Sequence, residues 1–295
     1  MQKLYLLLFS FFFFIIVKAQ TTINITPVAD NTIYQDFPDN SNGAGANFTT
    51  GTINTLTPRR AFVKFDVAGA VPAGATITSV TLTMNMNKSG LNNSTVYLHK
   101  ANTNWGEGTS DAGDPDGQGA AATINDATWN CKFSNGAGGC TTSWINAGGD
   151  YTLTASASTA VTTSLGNYTW TSAQMASDIQ SWLNNPSTNF GWEILGDESV
   201  IKTAKRFYSR QGTNPPSLSI TYSSPCVTNT WTGAVNNNWE TAGNWSCNSV
   251  PTATTAVVIP SGTVTVNSNA SCKSLSVSPA VSFTVTTGFV LTVLQ

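Results

Sequence analysis

The chain has 295 residues and a formal net charge of −2, with 9% charged and 40% hydrophobic residues. Loss of an N-terminal segment containing Lys3 and Lys18 leaves 11 basic residues against 15 acidic ones. This balance, without any basic stripe, argues against nucleic acid and anionic membranes as partners. The apolar residues recur in many short alternating runs, which excludes a disordered chain.

The N-terminus has the parts of a secretory signal peptide. Lys3 supplies the positive start, an apolar run covers residues 4–17, and Val17-Lys18-Ala19 fits a small-residue cleavage site. The run is shorter than the ~20 residues that span a bilayer. We therefore predict that residues 1–19 are a signal peptide, that the protein is secreted to the extracellular space or cell surface, and that the mature chain has no membrane span.

Alternating apolar and polar residues predict strands in the region that follows. Every second residue is apolar in residues 80–86, and the same period runs through residues 61–67 and 218–222. Because successive side chains of a strand point to opposite faces, each run places an apolar row in a core. Gly, Pro and Asn separate these runs, which favours an antiparallel sandwich of about 200 residues.

One amphipathic helix interrupts the strands. Residues 171–174 can form a capping box, and Pro186 ends the helix. Between them, four apolar side chains fall on one stripe: Met175, Ile179, Trp182 and Leu183. The spacing predicts about three turns lying across an open end of the sandwich, with Trp182 in the core.

Five segments also carry a family pattern. They read ADNTIY at 29–34, RAFVKFD at 60–66, ITSVTL at 77–82, WGEGTS at 105–110 and FGWEILGDESVIKTAKRFYSRQGTNPPSLSITY at 190–222. In this order they resemble the DNRLRE-domain family, secreted bacterial modules similar to carbohydrate-binding modules; Gln211 stands where that family usually has Glu. We predict an all-β fold, an antiparallel jelly-roll-type β-sandwich with one short helix, over residues 20–222.

The sequence changes rhythm after a short linker at residues 223–225. Residues 226–295 begin with WTG, NW and NWS segments and continue with VTV-like triplets about eight to eleven residues apart. This spacing indicates the turns of a β-solenoid or a small irregular sandwich. The arrangement resembles repeats in secreted surface proteins of Bacteroidetes. We expect a smaller, partial β-rich region that is solenoid-like.

The five cysteines are interpreted for an oxidising compartment. Cys131 and Cys140 lie close together in a Gly- and Asn-rich stretch, so a local disulfide is the first expectation. Zinc is disfavoured because the spacing is wrong and the only histidine, His99, is distant in sequence. The other three allow one bridge and one free thiol in pairings that the sequence leaves open: Cys226, Cys247 and Cys272.

An acidic loop offers a candidate calcium site. Asp111, Asp114 and Asp116 place three carboxylates within six positions, and neighbouring glycines permit a tight backbone path. The loop lacks the later bidentate Glu of an EF-hand, and a simply solvated loop is the alternative. Asp126 and Asp150 complete a site only if folding brings them near.

The sequence offers little for catalysis. A Ser-His-Asp or Cys-His system would have to use His99, which the alternation places beside Tyr97 on the less buried face of a strand. No HExxH, nucleophile elbow or phosphate-binding loop is present. The adjacent Asp197 and Glu198 point apart in an extended segment and make a poor glycosidase pair. We expect no enzyme activity, with a polysaccharide-cleaving enzyme as the outlying alternative.

Aromatic residues with polar neighbours favour sugar recognition, since a pyranose ring stacks on an aromatic face while its hydroxyls need fixed partners. Tyr97, Trp105 and Tyr208 are the candidates, although a large sandwich buries many of its tryptophans.

The family resemblance implies a second kind of contact, because some similar modules recognise acidic polysaccharides such as alginate. Lys64, Arg206 and Arg210 would then face uronate carboxylates. The structural alternative pairs the arginines with carboxylates of the sheet, namely Asp30, Asp66 or Glu193. We expect a secreted, non-catalytic module that binds a polysaccharide or cell-surface glycan, or acts in adhesion. A purely structural stalk domain of a larger adhesin is the alternative.

Overall fold

The computed structural model describes residues 20–295, and the predicted signal peptide lies outside this range. The described chain forms two compact units, residues 20–224 and residues 225–295. No helix within these residues is long and apolar enough to cross a membrane.

The first unit is built mainly from strands, with one three-turn helix and one short helix. In chain order the elements are β1 (Gln20–Ile25), β2 (Ala29–Tyr34), β3 (Asn40–Ser41), β4 (Asn47–Thr52), β5 (Pro58–Lys64), α1 (Val67–Ala70), β6 (Thr76–Ser89), β7 (Ser94–Lys100), β8 (Ala120–Ala121), β9 (Cys131–Ser134), β10 (Cys140–Ser143), β11 (Ala157–Val161), β12 (Gly166–Thr171), α2 (Ala173–Asn184), β13 (Trp192–Leu195), β14 (Lys205–Tyr208) and β15 (Ser217–Ser223).

Thirteen of these strands form one hydrogen-bonded sheet that folds into two layers. The first layer, sheet A, has the order β12-β6-β15-β1, and β6 also pairs with β14, which pairs with β4. The second layer, sheet B, has the order β8-β3-β2-β5-β13-β7-β11. Every pair is antiparallel, which confirms the predicted antiparallel sandwich.

Strand β4 connects the two layers. Its first residues pair with β14 of sheet A, and its last two pair with β5 of sheet B. Gly51 lies at this crossing with a φ of 93°, and a Cβ there would lie 3.0 Å from the backbone oxygen of Thr203. A side chain would be both strained and crowded here, so the crossing depends on glycine.

The core between the layers consists of the apolar rows that the alternation predicts. Their members are at most 6% exposed: Ala61, Val63, Phe65, Val67, Val80, Leu82, Met84, Met86, Leu218, Ile220 and Tyr222. Full burial of one large side chain of this kind contributes about 1.5–3 kcal/mol.

A second apolar cluster lies on the outer face of sheet B. Phe62, on the side of β5 opposite the core row, is fully buried and stacks on Trp144 with ring centroids 5.4 Å apart. The other members come mostly from the long segment 101–156: Ile33, Trp105, Ala127 and Trp129. This segment therefore covers part of sheet B and encloses a second core.

Helix α2 confirms the predicted short helix. Met175, Ile179, Trp182 and Leu183 are all buried, as their spacing requires. The cap differs by one position from the predicted capping box. The Ser172 hydroxyl, rather than Thr171, accepts a hydrogen bond from the Met175 amide, because Ser172 is the last extended residue before the helical turn.

Cys131 and Cys140 form a disulfide, as their proximity in sequence predicts. They lie on β9 and β10, which pair as an antiparallel hairpin. The bridge therefore closes a hairpin within the segment that covers sheet B.

The second unit is built from parallel strands. Its elements are β16 (Thr228–Thr230), β17 (Ala256–Ile259), β18 (Thr263–Val266), β19 (Ala270–Cys272), β20 (Ser274–Val277), β21 (Ser282–Val285) and β22 (Leu291–Val293). Strands β20, β21 and β22 stack in parallel on β17, β18 and β19, and β16 stacks on β17. The region is thus solenoid-like as predicted, but the triplets spaced eight to eleven residues apart mark successive faces of a coil rather than whole coils.

The remaining cysteines adopt one of the three open pairings. Cys226 is bonded to Cys247 across a sequence separation of 21 residues, and Cys272 is a buried free thiol. Its neighbours are the apolar interior residues of the coils, including Val257, Val264 and Trp239.

Candidate functional site

A cavity of about 350 Å³ opens where the chain leaves β4 and β6 and where it enters β14. Three segments form its floor and are held together by backbone hydrogen bonds. The amide of Ala204 donates to Thr52 O (2.8 Å), Gly90 donates to Ala204 O (2.7 Å), and Asn92 donates to Lys202 O (3.0 Å). These bonds continue the strand ladders into the three segments that form the floor.

Cationic side chains converge on this cavity. Lys88, Lys202 and Arg206 line it, against the single lining carboxylate of Asp116. Neither lysine makes an ion pair within residues 20–295. The rest of the lining includes an apolar wall of Ile53, Leu91 and Pro115. A chain with 9% charged residues therefore concentrates three of its cations around one concave, partly apolar surface.

Arg206 connects strand β6 to the loop that carries Asp114 and Asp116. Its Nε donates to Asn87 Oδ1 (2.9 Å), and its Nη1 donates to Asp114 (2.8 Å) and Asp116 (3.2 Å). The hydrogen bond from Arg206 lowers the pKa of Asp114 below its ordinary value. Nη2 makes no hydrogen bond within the described chain, so one edge of the guanidinium can still bind an anion.

Hydrogen bonds from Arg59 and Tyr34 hold the segment of the cavity lining that carries Asp116. Arg59 is fully buried and donates from Nε and Nη2 to Gly117 O at 3.2 and 3.0 Å. Tyr34 donates its hydroxyl proton to Asp116 O at 3.0 Å. Asp116 is itself 4% exposed, and its Oδ2 has no hydrogen-bond donor. The cavity is therefore preformed, with one unsatisfied carboxylate oxygen at its edge.

Arg210 has a structural partner. Its Nη2 donates to Glu107 Oε2 at 2.8 Å and its Nε contacts Oε1 of the same carboxylate, while its backbone amide donates to Asp30 Oδ2 at 2.6 Å. This bidentate pair ties the end of β14 to the segment after β7. The structure thus favours the structural alternative for Arg210. Its side chain pairs with Glu107 rather than with Asp30, Asp66 or Glu193.

Two more candidates lie outside the cavity lining. Lys64 is the last residue of β5 in sheet B, opposite Ala29. Tyr208 lies two residues after Arg206 on the same outer face of sheet A and is half-buried. Neither lines the cavity with Lys88 and Lys202. The six cationic and aromatic candidates are therefore not brought together as one site.

Trp105 is a packing residue. It is 5% exposed, its Nε1 donates to Phe190 O at 2.8 Å, and its ring lies 5.1 Å from Phe62. The other five tryptophans of the first unit are at most 7% exposed. Trp105 cannot offer a stacking face to a sugar in this conformation. Tyr97, in contrast, is 37% exposed on the outer face of sheet B.

His99 lies beside Tyr97 as predicted, with ring centroids 6.0 Å apart. It is more buried than its face suggests, at 9% exposed, because Tyr151 packs over it with centroids 5.0 Å apart. Its Nδ1 bonds to Thr152 O at 2.9 Å, and burial lowers the pKa of the imidazole. No hydroxyl or thiol nucleophile is hydrogen-bonded to the ring among the described contacts.

The acidic loop does not converge on one point. Asp114 and Asp116 bind Arg206, whereas Asp111 Oδ1 accepts from the Gly113 amide at 2.9 Å. No group of three metal-ligating side chains occurs within residues 20–295. Calcium at these three residues remains a prediction. If calcium binds there, the protein should melt at a higher temperature with calcium than with chelator, and Asp114→Asn should weaken calcium binding.

Lys88 and Lys202 are the site residues that the sequence patterns missed. Lys88 lies near the end of β6, opposite Arg206, and Lys202 lies in a loop with a φ of 63°. No motif marks them, and they are 114 residues apart. The one sequence feature that could have identified them is the scarcity of charged residues, because each lysine in such a chain is a candidate for a specific role.

Two family profiles match parts of the chain. Residues 21–124 match carbohydrate-binding module family 96, and residues 230–295 match a domain of unknown function (DUF8693). No curated protein matches the chain. Neither profile carries the DNRLRE name or describes a surface repeat. The first match ends before β13, β14 and β15, which complete the same sandwich. It supports a carbohydrate-binding module in the first unit and a carbohydrate as its partner.

Proposed function

We propose that the protein is a secreted, non-catalytic module that binds an acidic polysaccharide at the cavity of Lys88, Lys202 and Arg206. The observation that carries this proposal is the presence, in a preformed cavity, of two lysines that make no ion pair within residues 20–295. Uronate carboxylates are the anions that such a cluster can bind in a polysaccharide. The match of residues 21–124 to a carbohydrate-binding module family supports the same ligand class.

The remaining lining suits a sugar ring. A pyranose has apolar C–H faces, for which Ile53, Leu91 and Pro115 provide an apolar contact, while its hydroxyls need polar partners such as Thr49 and Asn54. At about 350 Å³ the cavity is at the small end of ligand sites. We expect it to hold one or two sugar residues of a longer chain.

The test is retardation of the mature chain, residues 20–295, in native gels that contain alginate or polygalacturonate. Lys88→Ala and Lys202→Ala should each weaken binding about tenfold, the loss expected for one charge-assisted hydrogen bond. Retardation of the wild type should fall as salt rises, because the attraction is ionic and partly exposed. Neither variant should lower the melting temperature, since neither lysine has an ion-pair partner to lose.

Lys273→Ala is the matched control, because it removes the same charge from an exposed position in the second unit. Lys64→Ala tests the sequence-based candidate, and loss of binding in that variant alone would move the site to the end of β5. Wild-type retardation in both cavity variants would contradict the proposed site, and a wild type that no acidic polysaccharide retards would favour the stalk alternative. Release of soluble fragments from the polysaccharide would show the enzyme alternative.

A further inference from the structure

A second concave surface lies on sheet B, with a lining entirely different from that of the cationic cavity. Here called the tyrosine groove, it has a volume of about 470 Å³. Strand β7 contributes Thr95, Tyr97 and His99, and the end of β13 with its following turn contributes residues 195–199. The groove therefore runs along two neighbouring strands of the sandwich.

Tyr97 is the most exposed aromatic side chain of residues 20–224, at 37%. Its hydroxyl makes no hydrogen bond within the described chain, although the hydroxyls of Tyr34 and Tyr168 do. Across the strands its neighbours are Leu195 and Ser158. An aromatic face with a free hydroxyl, one apolar neighbour and one small polar neighbour is suited to stack on a sugar ring and bind its edge.

The polar groups around Tyr97 are held in place. The His99 Nδ1 contact with Thr152 O leaves Nε2 as the ring nitrogen that can accept a hydrogen bond. The Asp197 amide donates to Ser94 Oγ at 2.9 Å, and Asp197 Oδ1 accepts from the Ser199 amide and hydroxyl. A ligand therefore meets fixed acceptors rather than mobile side chains.

The charge of the groove distinguishes it from the cavity. Its lining contains two carboxylates, Asp197 and Glu198, and no lysine or arginine. Arg60, which is outside this lining, is already bound to Glu198 through Nε (2.7 Å) and Nη2 (2.8 Å) and to Gly148 O (2.9 Å). A uronate would be repelled here, whereas an uncharged sugar would not.

We propose that the tyrosine groove is a second carbohydrate site that binds a neutral sugar by stacking on Tyr97. The inference extends the proposed carbohydrate-binding function and assigns this face a ligand of different charge. The two sites have separate linings, so one module would bind an acidic and a neutral polysaccharide independently.

The experiment uses the mature chain in gels that contain laminarin, glucomannan or galactan as neutral probes. The wild type should be retarded by at least one of them, with little change between low and high salt. Tyr97→Ala should weaken that binding at least about tenfold, because it removes stacking and buried area together. Tyr97→Phe should retain most of it, and Leu165→Ala, at another exposed apolar residue, should have no effect.

Alginate and polygalacturonate separate this inference from the proposed function. Tyr97→Ala should bind them as the wild type does, and Lys88→Ala should bind the neutral probe as the wild type does. The inference is overturned if no neutral probe retards the wild type, or if Tyr97→Ala binds the neutral probe normally. Loss of acidic binding in the lysine variants would then still uphold the cavity.

Discussion

The outer faces of the two sheets have the same strand geometry but differ in how much of each face is buried. On sheet A the outward residues in the middle of β6, such as Thr81 and Thr83, are small, uncharged and partly exposed. On sheet B the outward Phe62, Glu193 and His99 form a row across three strands, and the segment 101–156 buries it. The difference shows that alternation in a strand marks two faces but does not say which of them meets water.

The candidate sites lie where these faces end. The tyrosine groove begins where the covering segment leaves Tyr97 exposed, and the cationic cavity lies at the ends of β4, β6 and β14. Loops and strand ends can vary their side chains without disturbing the core, which is why binding residues concentrate there. The buried aromatic residues serve the fold, and the exposed residues at its margins are available for ligands.

The largest effect should come from removing the centre of the covered face. Phe62→Ala should destabilise the protein by about 3–5 kcal/mol, because it leaves a cavity between sheet B and the stacked Trp144. Thr83→Ala, on the open face of sheet A, should change stability by no more than about 0.5 kcal/mol. Urea unfolding of the two variants measures the difference. Equal effects would mean that the covering segment packs loosely and that the two faces are alike.

The sequence predicted those parts of the fold that local periodicity determines. The rows of β5, β6 and β15, the buried stripe of α2 and the Cys131–Cys140 bridge all follow from residues near one another in the chain. Burial of Phe62 could not be predicted in this way, because the residues that cover it lie 43 or more positions later. Periodicity assigns a face, whereas the covering of that face is a long-range contact.

The candidate site was predicted less well for the same reason. Arg206 belongs to a recognisable segment, but its cavity partners come from distant parts of the chain, because Lys88 lies opposite Arg206 on β6 and Lys202 lies in the loop before β14. Trp105 shows the converse error, since an aromatic residue in a polar stretch looks accessible until the chain folds over it. Charge and aromatic character identify candidates, and only the tertiary contacts separate ligand-binding residues from packing residues.

A smaller effect should come from opening the hairpin in the covering segment. Cys131→Ser should destabilise the first unit by roughly 2.5–3 kcal/mol, the loop-closure value for a sequence separation of 9 residues. Cys226→Ser, whose bridge lies in the second unit, is the control and should leave the melting of the first unit unchanged. The bridge itself is checked by intact mass, because two free thiols in freshly secreted protein would contradict it.

The last effect, and the most specific to the covered face, concerns its buried carboxyl group. Glu193 is fully buried, and neither of its carboxyl oxygens has a hydrogen-bond donor. The nearest cation is Arg60, whose Nη1 lies 3.7 Å away and whose Nε is bound to Glu198. Burial raises the pKa of Glu193 well above its ordinary value of 4.5. The folded protein therefore retains a proton that the unfolded chain releases as pH rises above 4.5.

This difference in protonation makes the folded state less stable as pH rises. Below pH 4.5 both states hold the proton and Glu193 adds no pH dependence. Above it the folded state loses stability by up to about 1.4 kcal/mol per pH unit until its own pKa is reached. Glu193→Gln cannot titrate, so the free energy of unfolding of the wild type should fall relative to the variant between pH 4.5 and 8. Asp30, whose pKa burial raises to about 7, gives both proteins the same additional slope.

Urea unfolding at a series of pH values measures the gap between the stability curves of the wild type and Glu193→Gln. Parallel curves would mean that water or Arg60 reaches the carboxylate, and that the face is less completely covered than its contacts indicate.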